Sequence, residues 1–225
     1  MATSTQDNGQ DWRAYCLPGI VMLAVATTAP YLPKPVYPYI YSFGVVLVSL
    51  VLVWYRKVFR DIKWSATAIA FGAAVGLIVF AFWIPLDQLT PFHFTGSRDA
   101  YDPFAAGHAG TTLYAFLAIR LFGLSVLTPV VEELLWRSFL VRYIASRDGQ
   151  FLKVDIARVG WGPICSASIA FGIAHTEWLS AFVCAILYTA VYKRTRSLSA
   201  SITAHIVTNL ALGLWILHSH QWRYW

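Results

Sequence analysis

The chain has 225 residues, 58% of them hydrophobic and only 12% charged, against roughly 25% charged in an ordinary soluble domain. The apolar residues run in continuous blocks approaching the roughly 20 residues that cross a hydrocarbon core, which excludes a soluble domain, and they lack the period-two alternation of a membrane β-barrel. The net charge of +6 fits basic loops beside anionic lipid and not a nucleic-acid groove, because no basic stretch is interleaved with aromatics.

The lead "MATSTQDNGQDW" is polar and not cationic, so no cleavable signal peptide is expected and the first span itself serves for targeting. That span is read at 14–32 and ends in "PYLPKPVYPY", whose prolines cannot propagate a helix. A second span follows at 36–55, then the basic loop "RKVFRDIK" at 56–63, then a third at 64–86. Small residues in "FGAAVG" of the third span permit close helix packing. A polar connection, 87–109, carries Asp87, Asp99 and Asp102 against Arg98. Apolar residues resume at 110–127, Pro129 interrupts, and 129–145 continues as a further helical segment. The last spans are read at 160–176, 178–192 and 198–218, with Trp54, Tyr55, Trp83, Trp161, Trp178 and the terminal "QWRYW" placed as interfacial aromatics.

The expected fold is therefore all-α: a polytopic transmembrane bundle of about eight helical segments around a polar intramembrane cavity. It forms one integral-membrane domain over 1–225, with 1–109 supplying N-terminal spans and an external connection and 110–218 the core that holds the unusual polar residues. Basic loops belong in the cytoplasm. Loop 56–63 and the later basic stretches 142–158 and 192–197 all meet that rule only if 110–145 crosses an odd number of times, as one long helix broken at Pro129 would. Cys16, Cys165 and Cys184 fit no zinc or redox spacing and read as small buried hydrophobes.

Within these apolar blocks, "VVEELLWRSF" places Glu132, Glu133 and Arg137 together. An ionisable residue at membrane depth costs several kcal/mol unless paired, and so points to function. Positions four apart share a helix face, so Glu133 and Arg137 form an ion pair. Glu132 is rotated by about 100° from Glu133 and remains a spare carboxylate, suited to act as a base. "FGIAH" sets Phe171 and His175 on one face of a later span, and "HIVTN" does the same for His205 and Asn209 on the last. Each polar residue alone reads as interhelical glue; together on three helices they read as a converging site. A carboxylate and an imidazole flanking a water can deprotonate it, and an imidazole N–H with an amide can hold the oxyanion that develops. Zinc held by Glu and two His is an alternative, although no His-Glu-x-x-His run exists and nothing requires a metal or other cofactor.

The ordered motifs Glu-Glu-x-x-x-Arg, Phe-x-x-x-His and His-x-x-x-Asn resemble the type II CAAX prenyl endopeptidase family, also called CAAX proteases and bacteriocin-processing enzymes, over roughly 110–218. The Trp within "EELLWRSFLVRY" is similar to the exosortase-associated bacterial subgroup. The resemblance implies an intramembrane glutamate protease in which Glu132 activates water with help from His175, Glu133 and Arg137 orient and support it, and His205 and Asn209 form the oxyanion hole. It also implies a hydrophobic or lipid-anchored protein substrate and a bacterial inner (cytoplasmic) membrane location. The non-enzymatic alternative is a membrane scaffold or immunity-type protein that keeps the motif as glue; a proton-relay transporter ranks lower, since no repeat relates the two halves. Arg120 is expected to snorkel or to pair with Asp87 or a motif glutamate. Glu177 is expected at the interface.

Overall fold

The computed structural model describes residues 12–28, 31, 33–94, 100–107 and 109–225. The polar lead through Asp11, together with Arg98, Asp99 and His108, lies outside the described residues. The described residues contain no strand. They form α1 (Arg13–Thr28), α2 (Tyr37–Trp54), α3 (Ala66–Gln88), α4 (Gly110–Ala145), α5 (Trp161–Ile173), α6 (Trp178–Thr195) and α7 (Leu198–Ser219). Counting the arms of α4 on either side of Pro129 separately, these are the eight expected segments.

Among the described residues, four helical stretches are long and apolar enough to cross a bilayer: Lys34–Trp54, which includes α2, and α3, α4 and α7. At 1.5 Å per residue, the 16 residues of α1 reach about 24 Å and the 13 of α5 about 20 Å, short of a hydrocarbon core of about 30 Å. Helix α4 is one continuous rod of 36 residues. It passes Pro129 by widening into a π-helical turn over Gly123–Leu127, and it widens again over Glu133–Val141. Such π segments absorb a proline or an extra residue without breaking the helix, and they recur at functional sites.

That single rod brings the three basic stretches to one end of the bundle. Arg142, buried at the foot of α4, reaches Asp61 of the first basic loop at 2.5 Å and the Ser138 carbonyl at 2.5 Å, and Ser138 also donates to Asp61. Ser197 and Ser199 donate to the Lys63 carbonyl, which ties the turn before α7 to the same loop. Only Arg196 and Ser197 separate α6 from α7, with Arg196 in the left-handed conformation (φ 55°) that ends a helix abruptly. Two helices joined so tightly must run antiparallel as neighbours.

At the heart of the bundle α3 lies directly on α7. A Cβ added at Gly72 would sit 2.3 Å from the Ala200 carbonyl oxygen, and one at Gly76 would sit 2.4 Å from that of Ala204. Both glycines belong to "FGAAVG", so the small residues do allow the close approach expected of them. Thr208 Oγ1 stands 2.9 Å from the Gly76 carbonyl, a polar link between the two helices. Cys16 and Cys184 are buried and Cys165 is half-buried, all as free thiols.

Gly76→Ala should force α3 away from α7 and lower the unfolding free energy by about 1–3 kcal/mol, the usual cost of overpacking. Gly162→Ala, where an added Cβ meets nothing within 4 Å, should leave stability unchanged. Unfolding of the two purified variants in the same detergent makes the comparison.

Candidate active site

Two helices and the turn just beyond a third, α5, supply the polar groups read from the sequence, and the close α3–α7 contact fixes the height of one of the helices. Helix α7 carries Ser201, His205 and Asn209 along a single face, each four residues from the next. Helix α4 carries Glu132, Glu133 and Arg137 where its second π segment begins. His175 follows the end of α5, where its Nδ1 bonds the Phe171 carbonyl at 2.7 Å and its ring lies 4.2 Å from the Phe171 ring.

Glu133 is the hub. Its carboxylate is fully buried; Arg137 Nη1 lies 3.0 Å from Oε1, His205 Nδ1 lies 2.9 Å from the same oxygen, and Ser201 donates to Oε2. The i,i+4 pair expected from the sequence therefore exists. The Arg137 N–H groups do not point squarely at the carboxylate, so the contact is a Coulombic pair more than a directed hydrogen bond. The guanidinium is held instead by two ring faces, Phe171 at 4.4 Å and Tyr188 at 5.4 Å, which stabilise a desolvated cation. Tyr188 in turn stacks near the His205 ring at 5.1 Å and donates to Thr208 at 2.7 Å.

Glu132 points elsewhere, as its rotation about the helix requires. Its Oε2 is buried without a hydrogen-bond partner among the described residues, and it lies 3.8 Å from His175 Nε2 and 3.8 Å from His205 Nε2. That separation is too long for a direct hydrogen bond and suits a single bridging water. The partners of the two rings fix their protons. A carbonyl only accepts, so His175 carries its proton on Nδ1; the ion-paired Glu133 also only accepts, so His205 does the same. In the neutral state both rings therefore present Nε2 lone pairs to the Glu132 carboxylate. Glu132 Oε2 and the two Nε2 atoms thus face one point.

Asn209 stands differently. Its Nδ2 donates to the Leu124 carbonyl at 2.9 Å. Leu124 lies five residues before Pro129, and a π turn would satisfy that carbonyl with the N–H that proline lacks. Asn209 supplies the missing donor with one of its two amide hydrogens. Ser201 and Tyr188 were not singled out by sequence: Ser201 shares the spacing of His205 and Asn209 but sits in a run of small residues, and Tyr188 carries no pattern. Glu177, expected at the interface, is buried at the start of α6. Among the described residues no group of three His, Cys, Asp or Glu side chains is disposed to hold a metal ion.

The described residues thus form an all-helical bundle with apolar helices of membrane-spanning length, and its interior sets one carboxylate facing two imidazoles. Residues 104–211 match the family described as Rce1-like type II CAAX prenyl endopeptidase, and this segment contains all seven residues that the three motifs specify. The motif resemblance thus holds over that segment, and the family is one of proteases acting on membrane-associated protein substrates. No curated protein and no solved structure matches the chain.

Removing one partner of a buried ion pair typically costs about 3–5 kcal/mol. Arg137→Leu should therefore destabilise the protein by that order, and combining it with Glu133→Gln should recover part of the loss. Tryptophan fluorescence during denaturant unfolding in detergent measures both; a single variant as stable as the parent would contradict the hub.

Proposed function

We propose that the chain is an intramembrane glutamate endopeptidase that hydrolyses a peptide bond in a hydrophobic or lipid-anchored protein. The observation that carries this reading is the placement of Glu132 Oε2 at 3.8 Å from two imidazole Nε2 atoms. A water held there donates its protons to two of the three acceptors and turns an oxygen lone pair toward the substrate carbonyl. As that oxygen attacks, its proton passes to the Glu132 and His175 pair. His205 donates to the developing oxyanion as an imidazolium, having taken an Nε2 proton from solvent before the attack, since Glu133 holds the other nitrogen; the proton held by Glu132 and His175 then passes to the departing amine as the C–N bond breaks. The Glu133–Arg137 pair with Ser201 keeps the ring in that orientation, and the second amide hydrogen of Asn209 is the further oxyanion donor. No covalent acyl-enzyme is required.

In this reading residues 1–225 form one integral-membrane domain, and the three basic segments at one end of the bundle face the cytoplasm of a bacterial inner membrane, as the positive-inside rule and the exosortase-associated resemblance imply. The site uses no metal; zinc bound by the same carboxylate and imidazoles is the rival chemistry.

Glu132→Gln nearly preserves shape and should lower turnover of a quenched peptide bearing a lipid-modified cysteine near its C-terminus by about 10²–10⁴-fold, with unfolding in detergent unchanged. Chelator should leave the parent's turnover intact. Loss of activity with chelator, regained with zinc, would establish the metal mechanism. Absence of turnover on any such peptide, with Glu132→Gln failing to assemble, would favour the scaffold.

A further inference from the structure

Arg120 lies on α4 at the end of the bundle away from the basic segments, and among the described residues it pairs with no motif glutamate. Its Nη1 donates to the Tyr37 hydroxyl at 2.6 Å, and its guanidinium carbon sits 4.4 Å from the Tyr41 ring, 5.7 Å from Tyr37 and 5.5 Å from Trp225. Gly123 makes this approach possible, since a Cβ there would meet the Tyr41 hydroxyl at 2.3 Å. Asp87 is already engaged by His93 at 3.0 Å, Tyr224 at 2.7 Å and Arg223 at 3.5 Å. Asp102 accepts from the backbone of Phe104 and Ala105 at 2.8 and 3.3 Å. Among the described residues no carboxylate pairs with Arg120.

Three buried donors around this cation lack an acceptor among the described residues: Arg120 Nε, the Tyr101 hydroxyl and Trp225 Nε1. Tyr101 stacks 4.5 Å from Tyr37, and burial pushes its hydroxyl up to about 12, so at neutral pH it stays a donor. Unsatisfied buried donors are costly and rare. Three of them clustered about one guanidinium have the complement of an anion with several acceptor oxygens. The position fits a membrane anion: α2 begins and α4 begins at this end, and tyrosines and tryptophans gather there as at an interface. A groove of about 330 Å³ runs between α2 and α4 at the same level, lined by Tyr39, Ser42, Thr112, Phe116 and Ile119. Phe116 joins the two features, its ring lying 6.2 Å from Tyr37 and 6.0 Å from Tyr101.

We propose that Arg120, Tyr101 and Trp225 bind the phosphate of a phospholipid headgroup, with an acyl chain of that lipid in the groove between α2 and α4. Phosphate suits the site because it offers several oxygens to three donors of different direction, and the bilayer presents it at this depth. The groove supplies what a free anion would not use.

The test is native mass spectrometry of the purified full chain, delipidated in an uncharged detergent and titrated with phosphatidylglycerol, with diacylglycerol of the same chains, or with inorganic phosphate. Phosphatidylglycerol should bind, and diacylglycerol should bind at least roughly tenfold more weakly, the scale of a lost hydrogen-bonded charge. Arg120→Gln should weaken phosphatidylglycerol binding by roughly tenfold or more on the same ground. Tyr101→Phe, which removes one oxygen and leaves packing intact, should weaken it several-fold. Arg147→Gln, at an exposed loop position, should change nothing. Equal binding of diacylglycerol, or undiminished binding by both Arg120→Gln and Tyr101→Phe, would overturn the site. Displacement of the lipid by inorganic phosphate at comparable concentration would overturn the lipid as its ligand.

Discussion

The structure turns on one fully buried carboxylate. Glu133 is removed from water, and a charge so placed survives only where its partners are complete. It collects Arg137 from its own helix and His205 and Ser201 from α7, which locks α4 and α7 in register. That same satisfaction decides the chemistry next door. Because Glu133 consumes both the cation and the His205 Nδ1 proton, Glu132 is left with no cation and faces two imidazole lone pairs. One residue supplies stability; its neighbour, one helical step round, is the proposed base.

Helix geometry around the hub follows from small local devices. Gly72 and Gly76 let α3 seat on the α7 backbone, so α7 has little freedom to slide and carry His205 out of range. The two π segments let α4 pass Pro129 and still deliver Glu132 and Glu133 in the same bundle interior. Asn209 closes the hydrogen-bond deficit that the proline leaves at Leu124. The asparagine thus serves backbone satisfaction as well as any role toward substrate, and the helix distortion and the proposed oxyanion donor are coupled through one side chain.

Much of this was legible in the sequence because charge is so costly in an apolar run. Glu132, Glu133 and Arg137 stood out by composition, and i,i+4 spacing separated the paired carboxylate from the spare one. The small residues of "FGAAVG" announced a close helix contact. The spacing of His205 and Asn209 gave a shared face, though not the proton positions, which depend on what each ring nitrogen meets across the bundle. Ser201 and Tyr188 are not legible there, because a serine among small residues and an aromatic in an apolar helix carry no signal until the neighbours are known. Span lengths were less legible: hydropathy alone cannot show that α1 and α5 stop short, nor that 110–145 is one rod. The partners of Arg120 were also hidden, since rings, unlike carboxylates, do not declare themselves as counterparts of a cation.

The central claim is that Glu133 holds the Nδ1 proton of His205 and so turns Nε2 toward Glu132. Nitrogen-15 NMR of histidine-labelled protein, assigned through His205→Gln, reads this directly. The account predicts a protonated Nδ1 on His205, and loss of that signature in Glu133→Ala. A His205 protonated on Nε2 alone would contradict it.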